Sequence, residues 1–138
     1  MTVLGFDFGE RRIGVAVGHT LTGTAGALKC LHARARVPDW VAISQLIACW
    51  QPEALIVGIP VNLDGSEHRF AGCVARFCRQ LQGRFGLPVH TIDETLSSVE
   101  ANRHPQRVKQ RGLDAVAAQL ILESWLNERS RCDEPRQR

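Results

Sequence analysis

The sequence predicts an α/β domain: a mixed sheet with helices on its faces, in the order β-β-β-α-β-α-β-α. Three observations carry that reading. Two apolar runs, residues 3–8 and 13–18, flank a short charged turn and read as a hairpin with Asp7 at the tip of its first strand. Residues 54–59 (Ala-Leu-Ile-Val-Gly-Ile) form an unbroken apolar run, which suits a strand covered on both faces in a central parallel position. Stretches with helical spacing lie on either side of that run, so its neighbours in the sheet are reached by right-handed crossovers.

The elements follow in order. Residues 24–31, after a Gly-Thr turn, carry Ala25, Ala27, Leu28 and Leu31 and form a third strand, completing an antiparallel meander. Pro38 and Asp39 open the first helix, Pro suiting a first turn and Asp the positive end of the dipole. Trp40, Ile43, Ile47 and Trp50 then make one apolar face, so both tryptophans read as core rather than as base-stacking platforms. Residues 60–66 are a loop, and Ser66 is placed to cap a helix running to about Phe85. Phe70, Val74, Phe77 and Leu81 line its inner face, while Arg69, Arg76 and Arg79 lie off that stripe and read as a solvated surface.

Gly86, Leu87 and Pro88 end this helix, and residues 89–92 form a short strand that terminates in Asp93 and Glu94. Ser97 or Ser98 caps a short helical start. Residues 102–112 are basic, contain Pro105 and offer nothing to build a core, so they read as a mobile loop. Leu113 and Asp114 begin the last helix, with Val116, Leu120, Ile121, Leu122 and Trp125 on a broad apolar face. From about Asn127 to Arg138 the residues are polar or charged and read as a flexible basic tail. No repeat and no internal boundary interrupts residues 1–138, which read as one domain.

Composition narrows the class. A chain of 138 residues can bury about two-thirds of its unfolded surface. No apolar run reaches the roughly 18 residues of a membrane span, and the N-terminus enters a strand at once, so no signal peptide is expected. The 5 cysteines are odd in number and lack a Cys-x-x-Cys pair; buried reduced thiols and a cytoplasmic location follow. No dimer surface stands out, and a monomer or weak dimer is expected. The formal net charge of +3 is compatible with nucleic acid without arguing for it. Its distribution says more: Arg103, Arg107, Lys109 and Arg111 cluster in one segment, and Arg129, Arg131, Arg136 and Arg138 mark the tail.

In open α/β sheets the functional crevice lies beyond the carboxyl ends of the strands. Asp7 ends strand one, Asp93 and Glu94 end strand five, and Asp114 sits in the first turn of the last helix, which can pack across that edge. Each has a plainer role available: a turn residue, a helix start, a dipole complement. Taken jointly, three carboxylates make a hard-oxygen site suited to Mg²⁺ or Mn²⁺, and two such ions support in-line displacement at phosphate. Either Asp93 or Glu94 serves as the second acid at this level of reading. The basic segment just before Asp114 suits a polyanionic partner, since phosphate contacts supply most of the affinity for nucleic acid. Arg11 and Arg12 beside Asp7 are equally hairpin charges or phosphate contacts. Asn62 and Asp64 either orient substrate or shape their turn.

Four motifs carry a resemblance. Gly5-Phe6-Asp7-Phe8-Gly9 with Arg11-Arg12-Ile13-Gly14-Val15-Ala16 resembles the opening motif of the YqgF family, small RNase H-like proteins named both as Holliday junction resolvases and as pre-16S rRNA nucleases. Val57-Gly58-Ile59-Pro60-Val61-Asn62-Leu63-Asp64-Gly65 resembles the second motif, Asp93-Glu94-Thr95-Leu96-Ser97-Ser98 the third, and Leu113-Asp114-Ala115-Val116-Ala117-Ala118 the fourth. The resemblance implies an RNase H-like fold and metal-dependent phosphodiester hydrolysis with two ions of Mg²⁺ or Mn²⁺. It implies Asp7, Glu94 and Asp114 as the acidic triad and favours Glu94 over Asp93 by position. It also implies a role in 5′-end maturation of pre-16S rRNA, near ribosomal particles, with resolution of structured DNA as the older assignment. Thr95 stands where the family usually carries Arg, Ser97 and Ser98 replace threonines, and the segment from Ser98 to Asp114 is shorter than usual.

Two other classes compete. An actin-like or sugar-kinase ATPase also opens with Asp-x-Gly after a strand, but it needs a second half that this length does not supply, and no Gly-x-x-x-x-Gly-Lys-Ser/Thr loop is present. A non-catalytic RNA- or ribosome-binding module with a relict acidic site would share the fold and differ in lacking cleavage.

Overall fold

The computed structural model of the chain describes residues 1–8, 12–34, 37–61, 71–95 and 111–136, with side chains described except at 34, 60–61, 94–95, 111–114 and 130–136. Among the described residues there are six strands and three helices: β1 (Thr2–Phe8), β2 (Arg12–His19), β3 (Thr24–Arg34), β4 (Val37–Pro38), α1 (Trp40–Trp50), β5 (Ala54–Val61), α2 (Ala71–Phe85), β6 (Val89–Thr95) and α3 (Arg111–Arg136). They build one sheet in the order β4-β3-β2-β1-β5-β6. β1, β2 and β3 pair antiparallel, whereas β5 pairs parallel with both β1 and β6. This is the mixed α/β sheet the sequence predicts, with the unbroken apolar run of β5 in a parallel position between two strands.

Strand alternation sorts the apolar residues into two cores. Leu4, Phe6 and Phe8 of β1, Ile13 and Val15 of β2, and Leu55 and Val57 of β5 meet Ile43 of α1 and Val74, Phe77 and Leu81 of α2. On the other face Val3, Ala16, Ala54 and Ile56 meet Ala118, Ile121 and Leu122 of α3. The first core is built around Phe77, whose ring centroid lies 5.8 Å from that of Phe6, 4.9 Å from Phe8 and 5.8 Å from Trp40. Trp40 and Trp50 pack against this core, as their helical spacing predicts.

Several boundaries differ from the expectation, each for a physical reason. Pro38 is not in the first turn of α1; it pairs with Ala33 in the short edge strand β4, where a residue without N–H is tolerated because an outer edge needs no donor. Asp39 instead is the N-cap of α1, its carboxylate accepting from the Ala42 N–H at 3.1 Å. β3 continues past Leu31 because Ala33 still faces the core. β6 runs through Thr95, since hydrogen bonding to β5 carries Asp93 and Glu94 within the ladder. The last helix begins at Arg111, so Arg111 and Gly112 belong to it rather than to a loop. It continues to Arg136, taking in most of the expected irregular tail; Glu and Arg propagate a helix readily once it is nucleated.

Among the described residues Cys30, Cys49, Cys73 and Cys78 form no disulfide, and none is fully buried: Cys49 is exposed on α1 and the other three are half-buried. Burial pushes the Cys78 thiol above its ordinary pKa, with Arg79 pulling the other way. Among the described residues no helix is long and apolar enough to cross a membrane. Phe70, Ser66, Arg69, Ser97 and Ser98 lie outside the described residues.

Candidate active site

The acidic positions are assembled by parity and by the direction of α3. In β1, positions 3, 5 and 7 lie on the face covered by α3, because Val3 belongs to the second core and residues two apart share a face. Asp7 is half-buried at the last turn of that face, and it is held by an interaction with its surroundings. In β6, His90 meets Trp125 of α3, their ring centroids 5.5 Å apart, and Ile92 packs on the second core. Glu94 has the same parity as those two. Asp93 is exposed and has the parity of Val89, which packs on the first core.

Register fixes the spacing. Phe6 pairs with Val57, and Gly58 pairs with Ile92. Asp7 is therefore level with Gly58 and Ile92, and Glu94 lies one same-face step farther toward the carboxyl edge. Two strand spacings separate β1 from β6, about 10 Å, with about 7 Å along the strands.

α3 crosses this face with its N-terminus toward the same edge. A Cβ on Gly18 would lie 3.4 Å from Leu126 and 3.3 Å from Leu122, while one on Gly5 would run into Leu122. Gly18 pairs with Val3, so moving from Leu126 to Leu122 moves along β1 from Val3 toward Gly5. Asp114 is two turns earlier again, about 12 Å, which carries its backbone past Asp7 to the strand ends. The buried Ala115 and Ala118 hold this end of α3 on the sheet. Three acidic positions from β1, β6 and α3 thus share one face and one edge. An all-oxygen set of this kind would fit Mg²⁺ or Mn²⁺ and not a soft metal.

The basic candidates divide. Arg12 is half-buried on β2, with the parity of Gly14, the partner of Asp7, and so stands on the acidic face one step beyond it. Arg111 is the first residue of α3 and lies at the same end of the helix as Asp114. Arg11, Asn62, Arg103, Arg107 and Lys109 lie outside the described residues. The His90–Trp125 contact that discriminates between the two acids of β6 had no counterpart in the sequence pattern, because it joins a strand and a helix that are 35 residues apart in the chain.

A family model described as "RuvX: Holliday junction resolvase" matches residues 1–128. The chain belongs to that family. Relatives at this level of similarity include one from Azotobacter vinelandii, 49% identical over 133 residues and covering 92% of this chain and 94% of its own length. Another, from Coxiella burnetii, is 50% identical over 132 residues, covering 93% and 94%. Both carry the name "Putative pre-16S rRNA nuclease". Among solved structures, Thermus thermophilus RuvC in complex with a Holliday junction substrate aligns with a TM-score of 0.58 at 16% identity, over 94% of this chain and 96% of that one. The fowlpox virus Holliday junction resolvase aligns with a TM-score of 0.55 at 13% identity, over 93% and 99%. At such identities these two establish the fold, which is RNase H-like. Together with the family match they bear out the YqgF-type reading of the four motifs.

Proposed function

We propose that this chain is a metal-dependent endonuclease that hydrolyses phosphodiester bonds in 5′-end maturation of pre-16S rRNA, with Asp7, Glu94 and Asp114 as its acidic triad. The observation that carries the reading is the gathering of those three positions, from three separate elements, on the α3 face at the carboxyl edge of the sheet. The names of the relatives that cover nearly the whole chain support the substrate class.

Asp7, Glu94 and Asp114 would hold one or two divalent cations, which when bound supply Lewis-acid stabilisation and a nucleophile at neutral pH. The chain's own contribution is positional. β1 and β6 are hydrogen-bonded through β5, so Asp7 and Glu94 cannot drift apart, and packing of Leu122 on Gly5 sets how far α3 brings Asp114. Without cations three clustered carboxylates repel one another. Arg12, with Arg11, Asn62 and the basic residues Arg103, Arg107, Lys109 and Arg111, supplies phosphate contacts around the site, which position a polyanion without reading its sequence. The protein acts in the cytoplasm on ribosomal precursor particles.

The family's description favours a second reading, in which the same acids resolve a four-way DNA junction. The experiment separates them. Purified chain and its Asp7→Asn variant are given Mn²⁺ with either an RNA bearing the 16S precursor 5′ end or a four-way junction. Cleavage of the RNA is expected for the wild type and should fall at least ~10²-fold in Asp7→Asn, the scale of several kcal/mol of lost charge stabilisation. Cleavage of the junction alone selects the second reading. Binding by both proteins with cleavage by neither makes the chain a binding module.

A further inference from the structure

On the opposite side of β1 from Asp7 lies a cleft of about 410 Å³ between β4 and α2. Phe8, Pro38 and Trp40 form its apolar wall, and Arg76, Gln80 and Arg84 line its rim. The three α2 residues are four apart, so they form one stripe along the helix, and about 12 Å separates the first from the last. The Arg84 guanidinium carbon lies 4.2 Å from the Trp40 ring centroid, a cation–π contact that holds the charge at the cleft. Arg76 and Arg84 are exposed, and no carboxylate lines the cleft among the described residues. By helical spacing alone Arg76 reads as solvated surface and Trp40 as core. Packing instead brings them to one concave site together with Phe8, the immediate neighbour of Asp7.

We propose that this cleft seats a single-stranded segment of nucleic acid, continuing over the carboxyl end of β1 from the acidic site. Positive side chains spaced along a groove with an aromatic wall are the recurring means of holding a single strand without sequence preference. The length of the arginine stripe matches about three nucleotides at the 3.4 Å spacing of a stacked strand. Asp7 and Phe8 are adjacent on β1 and alternate to opposite faces, so the acidic position and the cleft flank the end of the same strand. The inference deepens the nuclease reading and rests on it for the direction of the strand, while its charge and shape arguments stand on the cleft alone.

The test is direct binding of a labelled 12-nucleotide single-stranded RNA to the full chain, without divalent metal, over a range of salt. Arg76→Gln and Arg84→Gln should each weaken binding severalfold and reduce the salt slope by about 0.7, the value for one phosphate contact on a single strand. Arg79→Gln removes the same charge from the same helix outside the cleft and should leave affinity and slope unchanged. All three sites are exposed, so folding is preserved. Equal effects at the three positions, no effect at any, or no binding by the wild type overturns the proposal. Failure of the wild type to cleave in the presence of Mn²⁺ counts against the nuclease reading alone and leaves the cleft result standing.

Discussion

Leu122 of α3 packs directly over Gly5 of β1, so closely that a Cβ added to Gly5 would overlap the Leu122 Cγ. Leu122 is fully buried. Gly5 is thus a spacing device: it sets the height of α3 above the sheet two residues before Asp7.

Gly5→Ala is therefore expected to push α3 outward. Overpacking of this kind costs about 1–3 kcal/mol, and a lowered melting temperature should report it. The active-site prediction is sharper. Cleavage should fall further than the folded fraction does, because α3 carries Asp114. A variant with full activity and wild-type stability would remove this role for Gly5.

The two acids of β6 should behave oppositely. Glu94 shares its parity with Ile92 on the α3 face, whereas Asp93 shares that of Val89 and is exposed. Glu94→Gln is expected to reduce metal-dependent cleavage at least ~10²-fold. Asp93→Asn, a surface change, should stay within about 0.5 kcal/mol in stability and keep its activity. Steady-state cleavage of the same RNA by both variants decides it, and the reverse ranking would move the ligand to the other face.

Phe77 should be the most sensitive single position of the first core. It is 1% exposed and touches the rings of Phe6, Phe8 and Trp40. Phe77→Ala is expected to cost about 3–5 kcal/mol, seen as a lower urea midpoint with an unchanged slope. Phe8 and Trp40 also wall the cleft, so binding of single-stranded RNA should weaken as well, in samples kept well below the midpoint.

How much of this was legible in the chain varies with the range of the interaction. The hairpin of β1 and β2, the face of α1 and the buried run of β5 are local patterns, and the structure reproduces them. Pro38 misled because its fitness for a helix start is also its fitness for a sheet edge, and only pairing with Ala33 decides between them. The polar end of the chain shows a related limit: polar composition does not mark where a helix stops, and the helix anchored by Leu126 runs on through polar residues to Arg136. The expected burial of the cysteines fails in α1, where Cys49 is exposed.

For the proposed site, residue types offered Asp7, either Asp93 or Glu94, and Asp114, and the family resemblance favoured Glu94. Local sequence carries such information because strand ends and helix starts are set by neighbours in the chain. What tertiary structure alone decided was which faces meet. β6 enters the sheet with Ile92 on the side covered by α3, α3 runs toward Asp7 because Leu126 and Leu122 pack in turn on Gly18 and Gly5, and α2 brings Arg76 and Arg84 to the cleft that Trp40 walls. These are contacts between residues distant in the chain, and the period of a strand or a helix does not say which partner its faces will cover.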